Sequence, residues 1–291
     1  MLIAHLVRAY RWSLMLTPIG YRVGIGRMLL AVMVGYLANL FVPRMGEITR
    51  CGVLKRTDNV PMAVSIGSVV AERIIDLLTL ISIIFLALLL EYDLLSGYLK
   101  EVFTSKALSL SQNLVAIYIL GGVTFTILII SYIFFRAYKN KLKRSPLFLK
   151  IRTFLRAAVE GLMSIRKIEK KKSFWASTIV MWLLYYLLTY IVVFSIEETA
   201  SLSLKAGLTI LAAGSIGMAT PVQAGIGAFH ALVSGVLISY GVDLEDGILF
   251  ATILHSSQVI SVIVLGGISL VATILIQRKK KNGEPGQNSK Y

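Results

Sequence analysis

The sequence has little charge and almost no cysteine, and both shortages narrow the class of protein. Only 15% of its 291 residues are charged, whereas 56% are hydrophobic, and soluble domains carry about 25% charged residues. The charged residues are also bunched between long apolar runs, which excludes an ordinary soluble domain and predicts a polytopic α-helical membrane protein. The single cysteine, Cys51, excludes an internal disulfide and matches no metal site.

Motifs for catalysis are missing as well. The chain has no P-loop, no H-E-x-x-H, no nucleophile elbow and no soluble region large enough for a catalytic domain. His230 and His255 each lie in apolar sequence, and two isolated histidines are no metal signature. We therefore expect no enzyme activity, no metal and no cofactor.

The positive charge is concentrated in two places. Lys and Arg outnumber Asp and Glu by 30 to 15, and thirteen of them lie between Arg136 and Lys172, with "RKKK" following at 278–281. Basic segments of membrane proteins stay in the cytoplasm and lie against anionic headgroups. We therefore predict a cytoplasmic basic loop (136–173), a cytoplasmic basic tail (278–291) and contacts with anionic lipids rather than nucleic acid. Specific lipid recognition by the loop is the alternative.

Hydropathy and this charge bias give a topology in the cell inner membrane. Four segments are long and apolar enough to span it: 64–90, 113–135, 174–194 and 249–276. If the basic loop is cytoplasmic, 44–61 is cytoplasmic too, and the external segments are 91–112, 197–205 and 241–247. Residues 146–165 alternate apolar and basic positions at helical spacing, which predicts an amphipathic helix on the inner interface.

Two further segments predict re-entrant elements. The segment at about 206–240 begins and ends outside, so it must enter and leave on the same side, and it contains the Pro- and Gly-rich "TPVQAGIG". The segment at about 27–60 must likewise enter and leave on the inner side. Each precedes a full span, and the two enter from opposite faces, as in transporters built from inverted repeats. The predicted fold is an all-α membrane helical bundle over 1–277 with two re-entrant, broken elements, arranged as an inverted repeat.

The span 64–90 contains three ionisable residues, Glu72, Arg73 and Asp76. An isolated charge at a helix centre costs roughly 2.5–3.5 kcal/mol on insertion scales, so these residues need a reason to be there. Their spacing predicts that all three share one face of the helix. Three more charged residues precede them at three-residue spacing, namely Arg44, Glu47 and Arg50.

Two hypotheses explain this group of charges. The residues could hold the re-entrant element to the span through buried ion pairs, or they could bind a phospholipid headgroup, since arginine suits phosphate and carboxylates suit an ammonium group. The second broken element adds candidate positions for the same site: Pro221, Gly225, Gly227 and His230. We expect its tip, 221–227, to approach Arg50, Glu72 and Asp76 across a central water-accessible cavity.

Three stretches resemble one known family. "VRAYRW" (7–12), "GYLANLFVPRMGEITR" (35–50) and "VVAERIIDLL" (69–78) are similar to motifs of the lysylphosphatidylglycerol synthase transmembrane family. "PVQAGIGAFH" resembles its later glycine-rich motif, and "LHSSQVISVIVLGG" (254–267) its final span, so the resemblance covers about 5–92 and 174–276. In large members the membrane domain moves aminoacylated phosphatidylglycerol across the bilayer. The resemblance implies that the charged residues of 44–76 and the residues Pro221, Gly225 and Gly227 are motif positions.

The chain also departs from the family pattern. It lacks the soluble aminoacyl-transferase domain, His230 stands where glutamate is usual, and Ala224–Gly225 replaces a glycine pair. The resemblance begins at the family's second apolar segment, so we expect a first helix to be missing. The leading hypothesis is a flippase-like protein for a phospholipid, aminoacylated phosphatidylglycerol among them, or for a lipid-linked headgroup. The alternative is a non-transporting subunit that anchors or regulates a partner enzyme of lipid modification or glycosyl transfer.

Overall fold

The computed structural model describes residues 1–92, 152, 156, 159 and 163–282. The chain divides into two compact units, Met1–Glu91 together with Ala157–Tyr291, and Tyr92–Arg156. The first unit is described below. The predicted span at 113–135, most of the basic loop and most of the predicted amphipathic helix lie outside the described residues.

The fold class predicted from the sequence is confirmed. The described residues form eight α-helices and no strand. The helices are α1 (Leu2–Leu16), α2 (Ile25–Phe41), α3 (Met45–Asp58), α4 (Met62–Leu90), α5 (Lys171–Ile191), α6 (Leu204–Ala219), α7 (Ala228–Ser239) and α8 (Leu244–Lys281).

Three helical segments are long and apolar enough to cross a membrane. They are Met62–Leu90, Lys171–Ser195 and Leu244–Lys280, and they coincide with three of the four predicted spans. The shorter apolar helices behave differently: α2 has 17 residues and α6 has 16, which gives lengths of about 24–26 Å. A hydrocarbon core is about 30 Å thick, so these helices are too short to cross it unaided.

The first broken element is a helical hairpin, here called hairpin 1 (α2 and α3). Its two arms pack along each other, and Arg27 pairs with Asp58 at 2.6 Å where the hairpin opens. The chain turns at 42–44, where Arg44 takes a left-handed φ of +62°. The arms approach closely because glycines face each other at Gly35 and Gly46, and the Asn39 side chain accepts a hydrogen bond from the Gly46 N–H at 2.6 Å.

The second broken element is hairpin 2 (α6 and α7), whose arms also pack together. Its tip, 220–227, contains three residues with left-handed φ angles, Ala224, Gly225 and Gly227. Glycine adopts such angles without steric cost, which explains the glycine-rich sequence. At Gly217 an added Cβ would lie 2.6 Å from the Cα of Phe229, so the arms meet at backbone distance. Small residues at such crossings are typical of membrane helices.

The two halves repeat the same plan in opposite directions. In each half a helix precedes a hairpin and a full span follows it, and α1 packs against α5. The contacts across the halves are reciprocal, since α8 packs along α2 and α4 packs along α6. The base of hairpin 1 lies at the C-terminal end of α8, where Lys280 donates to the carbonyl oxygens of Arg56 and Thr57. Hairpin 2 ends four residues before α8 begins, so the two bases lie at opposite ends of this 38-residue helix.

The predicted cytoplasmic position of 44–61 stays a prediction, and the structure adds the conformation of this stretch. Most of these residues form α3, the returning arm of hairpin 1. Only the end of this stretch lies beside Lys280 and the basic tail. Lys55 and Arg56 lie at the base of the hairpin, whereas Arg44 lies at its tip.

The orientation of α8 gives a direct test of sidedness. Cysteines introduced by Asp243→Cys and Lys279→Cys lie just before its start and near its end, about 54 Å apart along the helix axis. We expect an impermeant maleimide to label position 279 only from the cytoplasmic side and position 243 only from outside. The native Cys51 is buried, so the unmodified chain is the control. Labelling of both positions from one side would contradict the topology.

Close packing inside hairpin 1 predicts a strong position dependence on one helix. At Gly46 an added Cβ would collide with the Gly35 carbonyl oxygen and lie 2.7 Å from the Asn39 side chain, whereas at Gly52 it would meet nothing within 4 Å. We expect Gly46→Ala to cost about 1–3 kcal/mol of stability through overpacking, and Gly52→Ala to be neutral or stabilising. Thermal unfolding of both variants in detergent measures the difference. Equal effects would show that the arms do not pack this closely.

Candidate functional site

The charges inside α4 belong to a buried ion-pair network that also includes two arginines of α1. Arg8 contacts Glu72 at 2.7 Å and Asp76 at 2.9 Å, and Arg11 contacts the same two carboxylates at 3.2 and 2.6 Å. Arg50 of α3 pairs with the other Glu72 oxygen at 3.0 Å. The network thus holds α1, α3 and α4 together, and neither Glu72 nor Arg11 is exposed.

Neighbouring side chains hold these arginines in place. The Arg50 guanidinium lies over the Trp12 ring, 4.6 Å from its centroid, and the Trp12 indole N–H donates to the Ser68 hydroxyl at 2.9 Å. A cation over an aromatic face is stabilised electrostatically. Arg8 also donates to the Tyr185 hydroxyl of α5 at 3.4 Å. This packing explains how α4 tolerates ionised groups, since each carboxylate has cationic partners in place of lipid.

The network carries an excess positive charge at Arg50. Three arginines, Arg8, Arg11 and Arg50, face two carboxylates, Glu72 and Asp76, which leaves one cation uncompensated. Nε and Nη2 of Arg50 have no hydrogen-bond partner among the described residues. A buried donor without a partner is costly, and a guanidinium with free N–H groups suits an anionic oxygen.

Arg50 borders a small recess between hairpin 1 and α4. A second ion pair, Glu47 with Arg73 at 3.0 Å, lies at this recess, and both side chains are partly exposed, 29% and 42% respectively. Glu47 also keeps one buried oxygen, Oε2, without a hydrogen-bond partner among the described residues. The recess is lined by Val32, Gly35, Tyr36, Asn39, Gly46, Glu47, Arg50 and Arg73. It therefore combines two arginines and one carboxylate at a place where the half-exposed pair can be reached from outside the core.

The tips of the two hairpins meet, and each satisfies the helix end of the other. Arg44 at tip 1 donates to the carbonyl oxygen of Ala219, the last residue of α6, at 3.3 Å. Gln223 at tip 2 donates to the carbonyl oxygen of Leu40, near the end of α2, at 3.0 Å. The last carbonyls of a helix have no partner within it, and in a membrane they must find one. The junction is thus a reciprocal pair of caps between the two halves.

The predicted site residues divide among three places in the structure. Arg50, Glu72 and Asp76 lie in the buried network, and Glu47 with Arg73 lies at the recess. The tip junction and hairpin 2 hold the others. Arg44, Pro221, Gly225 and Gly227 are at the tips, and His230 is at the start of α7 beside His255.

Two details of the predicted site are wrong. Arg73 does not share the face of Glu72 and Asp76, because it turns away from the network to Glu47. Tip 2 does not face the network across a water-accessible cavity: its described hydrogen bond to hairpin 1 runs from Gln223 to the Leu40 carbonyl oxygen, and the network is packed in protein. Both carboxylates are paired with buried arginines, so they need no central water around them.

Sequence reasoning missed Arg8 and Arg11. Their spacing of three residues on an apolar helix was the available signal, since it places both on one face. Two arginines on the same face of an apolar segment need carboxylate partners, and α4 supplies two carboxylates at i, i+4 spacing.

Comparison with known proteins agrees with this fold. The profile of the family described as "Lysylphosphatidylglycerol synthase TM region" matches residues 1–266. The chain is 22% identical to the UPF0104 membrane protein MJ1595 of Methanocaldococcus jannaschii over 311 aligned residues, covering 97% of this chain and 85% of that protein. No solved structure matches. By the extent of the profile match, the chain belongs to the lysylphosphatidylglycerol synthase TM region family.

Proposed function

We propose that the protein is a flippase-like transporter that moves a phospholipid or another phosphate-bearing lipid between the leaflets of the cytoplasmic membrane. It acts as a transporter and not as an enzyme. The observation that carries the proposal is the pair of partnerless nitrogens on Arg50, which border a recess beside the Glu47–Arg73 pair. A buried guanidinium with free donors is a ready partner for a lipid phosphate.

The mixed charge of the recess suggests the class of headgroup. The recess has a volume of about 10 Å³, so the Glu47–Arg73 pair would have to separate to admit a headgroup. Arg50 and Arg73 would then hold the phosphate, and Glu47, with its partnerless oxygen Oε2, would hold an ammonium group. A zwitterionic or aminoacylated phospholipid carries both charges, so aminoacylated phosphatidylglycerol is the proposed substrate class. Apolar side chains exposed around the tips, including Phe41, Val222 and Ile226, offer a surface for the acyl chains while the headgroup is held.

The direct test is transport by the purified chain. Reconstituted vesicles would contain trace fluorescent phospholipids with anionic, zwitterionic or aminoacylated headgroups, and a membrane-impermeant quencher would report transbilayer movement. We expect faster movement than in empty vesicles, and the fastest for headgroups that carry both a phosphate and an amine. If no phospholipid moves faster than in empty vesicles, while the chain co-purifies with a lipid-modifying enzyme, it is an anchoring subunit instead.

A matched pair of variants tests the recess itself. Arg73 and Arg27 are equally exposed, at 42%, and each pairs with a carboxylate, at 3.0 and 2.6 Å. We expect Arg73→Gln to slow transport about tenfold, which corresponds to the loss of one charge-assisted hydrogen bond of about 1.5 kcal/mol. Arg27→Gln removes a comparable ion pair at the hairpin base and should change the rate by about twofold at most. Equal rates in the two variants would remove the recess from the mechanism.

A further inference from the structure

Two histidines of the second half form a ring pair that the proposed headgroup site does not use. His230 is the third residue of α7, directly after the tip of hairpin 2, and His255 lies inside α8. Their ring centroids are 5.3 Å apart with an interplanar angle of 67°. The Phe229 ring lies 5.0 Å from His255 and closes one side of the pair.

The rings lack the hydrogen bonds that a packing histidine would have. His255 is 5% exposed, and neither of its ring nitrogens has a partner among the described residues; Nδ1 of His230 also has none. Buried polar atoms are nearly always hydrogen-bonded, and a neutral imidazole offers one donor and one acceptor. A metal does not explain the arrangement, since the described residues contain no group of three or more ligands.

No charged group among the described residues supplies a hydrogen-bond partner for the rings of His230 and His255. None of the charged or titratable side chains on the helices packed around the pair forms a described hydrogen bond or ion pair with either ring. On α6 and α8 they lie in the first turn or the basic tail, and on α2 and α3 all but Cys51, Lys55 and Arg56 have other described partners. They are Lys205, Glu245, Asp246, Arg278, Lys279 and Lys280, and Arg27, Tyr36, Glu47, Arg50, Cys51, Lys55, Arg56 and Asp58.

We infer that His230 and His255 together form a proton-binding site that holds one shared proton. A proton taken from water adds to a ring nitrogen of His255, and the resulting N–H group donates to a ring nitrogen of neutral His230. The positive end of the α7 dipole disfavours a charge on His230, whereas burial disfavours a charge on His255, which is 5% exposed, so neither ring holds the proton alone. A second proton is excluded by repulsion between two cations at this distance.

Such a proton would link hairpin 2 to the long span α8. His230 follows Gly227, whose φ of +83° and lack of any neighbour within 4 Å of an added Cβ leave the chain free to turn there. The N–H···N bond would draw the start of α7 toward α8, and its loss would release the tip. This part rests on the proposed function, because it makes the proton the driving ion for lipid movement.

Proton binding is measurable without transport, because the chain has only three histidines. Nitrogen-15 NMR of the full chain in nanodiscs, with labelled histidine, would follow His5, His230 and His255 between about pH 4 and 9. We expect one proton to bind to the pair, and His230→Gln to lower the titration midpoint of His255 by about one pH unit, a tenfold loss of proton affinity. His5→Gln is the matched control and should leave that midpoint unchanged.

The contrary results are equally specific. An unchanged midpoint for His255 in His230→Gln, or two protons binding independently, would overturn the shared site. If His230→Gln fails to fold, His230→Asn gives the same reading, and the titration of the unmodified chain shows by itself whether one or two protons bind.

Transport in vesicles then tests the coupling. We expect an imposed pH gradient to accelerate lipid movement in the unmodified chain and to have no effect in His255→Gln. Transport that ignores the gradient would overturn the coupling and leave the proposed function intact. Absence of any lipid transport would defeat the proposed function, and with it the driving role, whereas the NMR titration would still decide whether the proton site exists.

Discussion

Replacing Glu72 by glutamine is expected to cost about 3–5 kcal/mol of stability, the usual penalty for removing one member of a buried ion-pair network. Glu72 contacts all three buried arginines, and its side chain has no exposed surface. The amide keeps the shape of the side chain but removes its charge, so Arg8, Arg11 and Arg50 would face Asp76 alone. Repulsion among buried guanidiniums then adds to the loss of the ion pairs.

The measurement is thermal unfolding of the purified chain in detergent, followed by size-exclusion of the surviving folded fraction. Glu47→Gln is the matched control, because Glu47 also pairs with an arginine but is 29% exposed. Exposed pairs contribute about 0–1 kcal/mol, so this variant should unfold close to the unmodified chain. If Glu72→Gln were as stable as Glu47→Gln, the network would not be the support that its geometry indicates.

The sequence predicted the two hairpins well because their signals are local. Each signal lies within a short stretch of sequence. The signals are helices too short to span, glycine and proline at the breaks, and flanking basic residues. The opposite orientation of the two halves follows from the same short helices and flanking charges. The structure adds that Lys280 closes the base of hairpin 1, a contact between residues more than 200 positions apart that no local pattern contains.

The members of the charged network were harder to predict, because the ion pairs depend on which helices pack together. Spacing alone put Arg73 near Glu72 and Asp76, but a residue one position along from Glu72 points about 100° away around the helix. Arg73 accordingly turns to Glu47. The partners of Glu72 and Asp76 came instead from α1, where Arg8 and Arg11 sit on a helix that the charge pattern had left unassigned.

The sequence did not predict the junction between the two tips. Tip 2 is expected from the sequence to approach Arg50, Glu72 and Asp76, whereas in the structure the two tips meet each other. The partner of tip 2 proved to be tip 1 instead of the ion-pair network. The orphan carbonyls at the ends of α2 and α6 decide this, since each needs a donor and Gln223 and Arg44 provide it.

Locking the two tips together is expected to abolish lipid transport. Cysteines introduced by Leu40→Cys and Gln223→Cys replace residues already joined by a hydrogen bond of 3.0 Å, so a short bifunctional thiosulfonate should bridge them. At the tips the two oppositely directed hairpins are joined by hydrogen bonds, and under the proposed function we expect a headgroup that passes between the halves to separate them. Reduction of the cross-link should restore the rate.

This cross-link tests whether the two tips part during transport, the motion that the proposed function requires of their junction. The matched control bridges Arg27→Cys and Asp58→Cys at the base of hairpin 1, where the ion pair is 2.6 Å and no opening is required. We expect the tip cross-link to form and to stop lipid movement reversibly, while the base cross-link leaves the rate within about twofold. Transport that continues at the full rate with the tips fully cross-linked would contradict this expectation.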